Sequence, residues 1–156
     1  MIQKGFLMAM MEPPAGFEEE FHDWYDTEHV PERLAVEGFE TGQRFVCLSG
    51  WPKYVALYDL TTLDVLQKPA YLNASGDVAS PWTHRVRTKV LGRYQFTGTQ
   101  IYPGEAKIGD RGAGVRLVVL RFRSATAKDE AQILAGLREN FDSRAGVSQL
   151  RLFRGE

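Results

Sequence analysis

The order in which the apolar spacing changes over residues 5 to 101 narrows the possible folds more than any single motif does. Gly5-Phe-Leu-Met-Ala-Met-Met11 is a continuous apolar run closed by Glu12-Pro13-Pro14, the pattern of a strand buried on both faces. From Gly16 to Glu28 the period lengthens. Phe17, Phe21 and Trp24 fall at i, i+4 and i+7, which places three aromatic rings on one stripe of a helix. Pro31 is expected to end or kink that helix, and a short further turn from Glu32 to Val36 runs to Gly38. Thr41 to Leu48 and Lys53 to Leu60 alternate as strands, with Ser49-Gly50-Trp51-Pro52 as the hairpin turn between them. On the second strand Tyr54, Ala56, Tyr58 and Leu60 point one way, and Val55, Leu57 and Asp59 the other.

Two helix starts follow. Thr61-Thr-Leu-Asp64 has the form of a capping box and opens a short helix that Pro69 interrupts; Ser80-Pro81 announces another over Trp82 to Arg87. Val90 to Ile101 is a long strand in which Gly92 and Gly98 mark bends or bulges. The order over residues 1 to 101 is therefore β-α-β-β-α-β, an α+β fold of the ferredoxin-like type. Residues 102 to 114 carry four glycines and a proline and have the composition of a linker. Residues 115 to 156 are expected to begin a second ferredoxin-like unit. Val115 to Phe122 is its strand, Thr126-Ala-Lys-Asp129 a capping box before a helix bearing Ile133, Leu137 and Phe141, and Val147 to Phe153 a further strand. A partial βαβ repeat leaves a sheet edge and an apolar helix face to be covered. A homodimer, or a natural chain longer than this one, is the expected remedy.

Nineteen Lys and Arg against twenty Asp and Glu give a net charge of -1. That balance lacks the field that draws a protein to polyanions, so neither nucleic acid nor a membrane surface is an expected partner. Cys47 has no second cysteine to pair with, and the first apolar run is too short for a signal peptide or a membrane span, so a cytoplasmic location is expected. No G-x-G-x-x-G, P-loop, G-x-S-x-G, C-x-x-C or H-E-x-x-H occurs, which argues against nucleotide-driven and elbow-serine chemistry.

The densest functional cluster is Phe21-His-Asp-Trp-Tyr-Asp-Thr-Glu-His-Val-Pro31. His22, Asp26 and His29 lie at i, i+4 and i+7 with Tyr25 beside them, offering two imidazoles that titrate near neutral pH and a carboxylate to orient them. A solvated helix face is the alternative for His22 and Asp23. A metal site from His22, Asp26 and His29 fits the stripe but lacks a fourth ligand. If Tyr54 and Tyr58 face a chamber, they meet Arg44 or Gln43 from the paired strand and Tyr94 and Phe96 from the last; otherwise the tyrosines pack a core. Cys47 and the Met8, Met10, Met11 group are expected to fill space. Arg85, Arg87, Lys89 and Arg93 form the basic cluster, read as a solvated edge or an anion contact.

Trp24-Tyr-Asp-Thr-Glu-His-Val-Pro31, with Gly38-Phe39 and Pro52-Lys-Tyr-Val-Ala-Leu-Tyr58, resembles the dimeric α/β-barrel superfamily and, within it, the EthD-like group. The resemblance covers about residues 5 to 101. It implies a ferredoxin-like sheet that pairs with a second to close a barrel, with the imidazole of His29 facing the cavity. Members include cofactor-independent monooxygenases, muconolactone-type isomerases, polyketide cyclases and haem enzymes that process aldoximes or chlorite.

The expected function is a cofactor-independent enzyme acting on a small aromatic or polyketide-like oxygenated molecule, as isomerase, lyase, cyclase or monooxygenase. His29 is the acid or base, Tyr25 or Asp26 orients it, and Arg44 or Tyr58 stabilises developing negative charge. Trp24, His22, Tyr54, Tyr58, Tyr94 and Phe96 would contact the substrate. The alternatives are a noncatalytic barrel that binds a hydrophobic metabolite or serves as an assembly subunit, and haem binding through His29 or His84.

Overall fold

The computed structural model describes residues 3–110 and 116–156. The first apolar run forms β1 (Gly5–Glu12), and the aromatic-striped segment forms α1 (Glu18–Trp24) with Phe17, Phe21 and Trp24 turned inward. α2 (Val30–Leu34), β2 (Phe39–Val46) and β3 (Tyr54–Leu60) follow, then a 3-10 turn (Leu63–Gln67), α3 (Pro69–Asn73), α4 (Pro81–Lys89) and β4 (Leu91–Tyr102). α5 (Ala127–Phe141) and β5 (Leu152–Gly155) complete the chain. The sheet order is β2-β3-β1-β4-β5, with every neighbouring pair antiparallel. Its first four strands in the sequence order β-α-β-β-α-β make the ferredoxin-like unit, an α+β fold. Among the described residues no helix is long and apolar enough to cross a membrane.

The helix starts at Ser80 and Thr126 form as their sequences demand. Ser80 accepts from Thr83 N at 3.0 Å with Pro81 in the first turn, and Thr126 with Asp129 closes a full capping box. The start at Thr61 does not. Thr62 precedes the 3-10 turn without a side-chain cap, because the chain must turn tightly before Pro69, where α3 begins. Gly92 sits at φ +55 beside the register shift between β1 and β4, and a Cβ there would meet the Trp51 ring at 2.2 Å. At Gly98 the carbonyl of Arg154 lies 2.3 Å from where a Cβ would stand, so β5 can dock only on a glycine.

β5 extends the sheet of the first unit at its β4 edge, so the expected strand over 147–153 is realised later and pairs backward. The expected strand from Val115 to Phe122 is not one in the structure: residues 116–122 carry no strand ladder, while Val115 and the end of the 102–114 linker lie outside the described residues. A strand-forming sequence makes a strand only beside another strand, and this segment has no such neighbour among the described residues.

The C-terminal segment is pinned by a buried polar network. Asp59 on β3 is fully buried and pairs with Arg151; it also accepts from Thr41 Oγ1 at 2.6 Å and from Ile108 N at 2.7 Å. Arg151 Nε donates to Gln100 Oε1 at 2.6 Å. Each member finds partners, the condition under which a buried charge is tolerated. The two sheet faces hold separate cores. Leu7, Met11, Ala56, Tyr58 and Leu60 pack under α1, α2 and α4; Phe6, Met8 and Leu57 face the other way.

Candidate functional site

Pro31 was expected to end or kink the helix; the helix continues past it and widens locally. Proline offers no N–H to the carbonyl of Thr27, and Tyr25–His29 form a π-helical turn that carries α1 into α2 unbroken. The continuation adds a residue that sequence reasoning missed. Tyr25, His29 and Arg33 fall at i, i+4 and i+8 and all three turn inward, exposed by only 2%, 8% and 5%. Trp24 stacks on the His29 ring at 4.3 Å between centroids, and Tyr25 meets it edge-on at 5.2 Å. From the sheet, Tyr58 rises toward the same region, with Phe39 edge-on to its ring at 5.7 Å.

Nδ1 of His29, Nη1 of Arg33 and Oη of Tyr58 are buried without a hydrogen-bond partner, and they are the side-chain atoms of that kind among the described residues. Buried polar atoms are normally satisfied, so three unsatisfied ones on a single face mark the place where a ligand's polar atoms are missing. The electrostatics are one-sided. Burial, then Arg33, Arg87 and Arg44, push the pKa of His29 down to about 3, so the imidazole is neutral at pH 7 and does not titrate near neutrality as the sequence suggested. Burial pushes Tyr25 up to about 12 and Tyr58 well above the ordinary tyrosine range.

A second cluster forms the rim. Arg44 Nη1 donates to Asp26 Oδ1 at 2.5 Å, and Nη2 to His22 Nδ1 at 2.8 Å. A guanidinium only donates, so His22 accepts through Nδ1. The Arg44 guanidinium also lies over the Tyr25 ring at 4.3 Å, and Tyr54 meets His22 edge-on at 4.8 Å. Asp26 thus serves Arg44 at the surface and does not orient His29. His22, Asp26 and His29 do not converge either: the first two meet on Arg44, and no group of three metal-ligating side chains occurs among the described residues. His84 bonds the carbonyl of Asp77 at 3.1 Å, away from this cluster.

Behind the site, Trp24 Nε1 donates to Thr83 Oγ1 at 3.0 Å, and Thr83 and Ser80 both donate to Glu28. This relay fixes the indole on which His29 rests. Thr83→Val should leave the indole N–H unsatisfied and destabilise the fold by about 1 to 3 kcal/mol, read from urea unfolding; an unchanged midpoint would show the relay to be dispensable.

Tyr94 and Phe96 do not belong to this site. Met10 pairs with Tyr94 and Met8 with Phe96, which turns both rings to the opposite sheet face. There they line a cavity of about 560 Å³ with Phe6, Met8 and Leu57. Residues 116–125 also line it. That cavity contains none of the three unsatisfied atoms, so the helix-side cluster is the better chemical site and the larger void is a separate feature.

No family model matches the chain, and no curated protein does. Among solved structures, a dimeric ferredoxin-like protein from an uncultured marine organism is similar at 11% identity and a TM-score of 0.48, over 78% of this chain and 94% of that one. A substituted form of SnoaB, a cofactor-independent oxygenase from Streptomyces nogalater, is similar at 17% identity and a TM-score of 0.44, over 65% and 98%. MhuD, bound to manganese protoporphyrin IX in an arginine-to-serine variant, is similar at 18% and 0.41, over 60% and 90%. These likenesses are too weak to carry a functional argument. The ferredoxin-like assignment stands on the strand order, and the site on its geometry.

Proposed function

We propose that this chain is an EthD-like dimeric α/β-barrel enzyme that uses His29 for proton transfer on a small aromatic or polyketide-like oxygenated molecule, without a cofactor. The observation that carries the proposal is the trio of unsatisfied buried atoms, His29 Nδ1, Arg33 Nη1 and Tyr58 Oη, on the face where aromatic rings also collect. A neutral imidazole held flat on Trp24 can accept a proton from an acidic O–H or C–H through Nδ1. Its own pKa makes it a weak base in the free protein, since a base works best when its pKa lies near the operating pH. Formation of an enolate or phenolate beside it opposes the arginines and favours the imidazolium, so base and anion strengthen one another. Tyr58, neutral at any physiological pH, donates to the developing oxyanion. Arg44, with His22, Asp26 and Tyr54, closes the rim over Tyr25. The test is turnover of His29 variants on a panel of hydroxyaromatic and 1,3-dicarbonyl compounds.

The same proposal includes a homodimer. Val118 is 80% exposed and Leu120 58%, in a segment that has no strand partner among the described residues and lines a cavity against the second sheet face. A second copy would cover both. Wild type should elute as a dimer in size-exclusion chromatography with light scattering. Val118→Asp should yield a folded monomer, because charge at an exposed position costs the single chain little. A monomeric wild type, or a dimer that survives the substitution, would refute this arrangement.

A further inference from the structure

We infer that the ligand of the His29 site binds as an anion, a carboxylate or ionised phenol on a planar aromatic frame, and that Arg33 holds its charge. The inference rests on the site proposed above and adds the class of molecule it takes. Arg33 is 5% exposed, and no carboxylate of the described residues lies within ion-pair distance of it. The nearby acids are engaged elsewhere: Glu28 by Ser80 and Thr83, Asp26 by Arg44. Glu32, its neighbour in sequence, feels the charge without forming a pair. A buried lysine or histidine could escape by releasing its proton, but a guanidinium cannot, so its charge must be met by a partner from outside the chain. The buried pair Asp59 and Arg151 shows the contrast, since there the chain supplies both charges.

Geometry sets the kind of anion. The Arg33 guanidinium lies over the Tyr71 ring at 4.9 Å, which occupies its flat face and leaves the N–H edge, including unsatisfied Nη1, for a planar acceptor. Tyr71 stacks on Phe39 at 5.8 Å, and Phe39 meets Tyr58. An aromatic ligand anchored at Arg33 would therefore lie among aromatic rings with its second oxygen toward Tyr58 and His29. Arg87 and Arg44 add to the positive field that His29 feels, Arg44 while paired with Asp26 at the rim.

The test compares salicylate with its neutral amide, salicylamide, by calorimetric and NMR titration of the whole chain at pH 7.5. Wild type should bind the anion at least about tenfold more tightly. Arg33→Met should erase that preference, and Arg33→Lys should keep part of it. Circular dichroism checks that each variant is folded. Equal affinities in wild type, a preference that survives Arg33→Met, or no binding of either compound would overturn the inference. A preference that obeys Arg33 in a protein with no His29-dependent turnover would keep the anion site and remove the catalytic proposal.

Discussion

His29→Ala is expected to lower turnover at least about a hundredfold while leaving the protein folded, because a positioned acid or base contributes roughly 10²- to 10⁴-fold. The side chain is removed from the stack on Trp24 without touching the Trp24, Thr83 and Glu28 relay that fixes the indole, so loss of rate is separable from loss of structure. The measurement is kcat/KM on the best compound of the hydroxyaromatic and 1,3-dicarbonyl panel, with thermal unfolding as the control. His29→Gln separates two roles: it can donate a hydrogen bond but cannot take up a proton, so it should be nearly as slow as alanine. An alanine variant as fast as wild type would remove His29 from the chemistry.

The second large effect is on stability in acid. Folded His29 has its pKa pushed from 6.5 to about 3, so between these values the unfolded chain binds a proton that the folded chain refuses. Stability from this group is complete above pH 6.5 and lost as the pH falls toward 3. Between pH 6.5 and 4.5 the loss should be about 2 to 3 kcal/mol. Carboxylates also titrate in that interval, so the readout is the difference between wild type and His29→Gln in urea unfolding at pH 7, 5.5 and 4.5. The wild-type curve should fall more steeply; parallel curves would show that His29 is not held neutral.

The sequence made the first four strands legible because each change of apolar period fell at a turn signal. Tyr54 and Tyr58 were placed on one face correctly, since alternation within a strand is local. Tyr94 and Phe96 were not. Which face they take depends on the register of β4 against β1, and a slip of one residue, such as the bulge beside Gly92 introduces, reverses it. Arg33 was hidden by Pro31. A proline that ends a helix also ends its stripe, whereas a π turn lets the stripe run on, and the spacing of Tyr25, His29 and Arg33 was the signal available. The Asp59 and Arg151 pair joins residues 92 apart, and nothing local in either segment announces it. Residues 116–122 show the opposite limit: their pattern is that of a strand, but a ladder requires a second backbone that these described residues do not meet.

The protonation of His29 itself tests the assignment most directly. In a long-range ¹H–¹⁵N spectrum of the imidazole at pH 7, the free protein should show a neutral ring with Nδ1 bare and the proton on Nε2. Addition of an ionisable phenolic ligand should convert it to the imidazolium as the proton moves. A ring that is already charged in the free protein, or that titrates near pH 6.5 with no response to ligand, would contradict the site proposed for this chain.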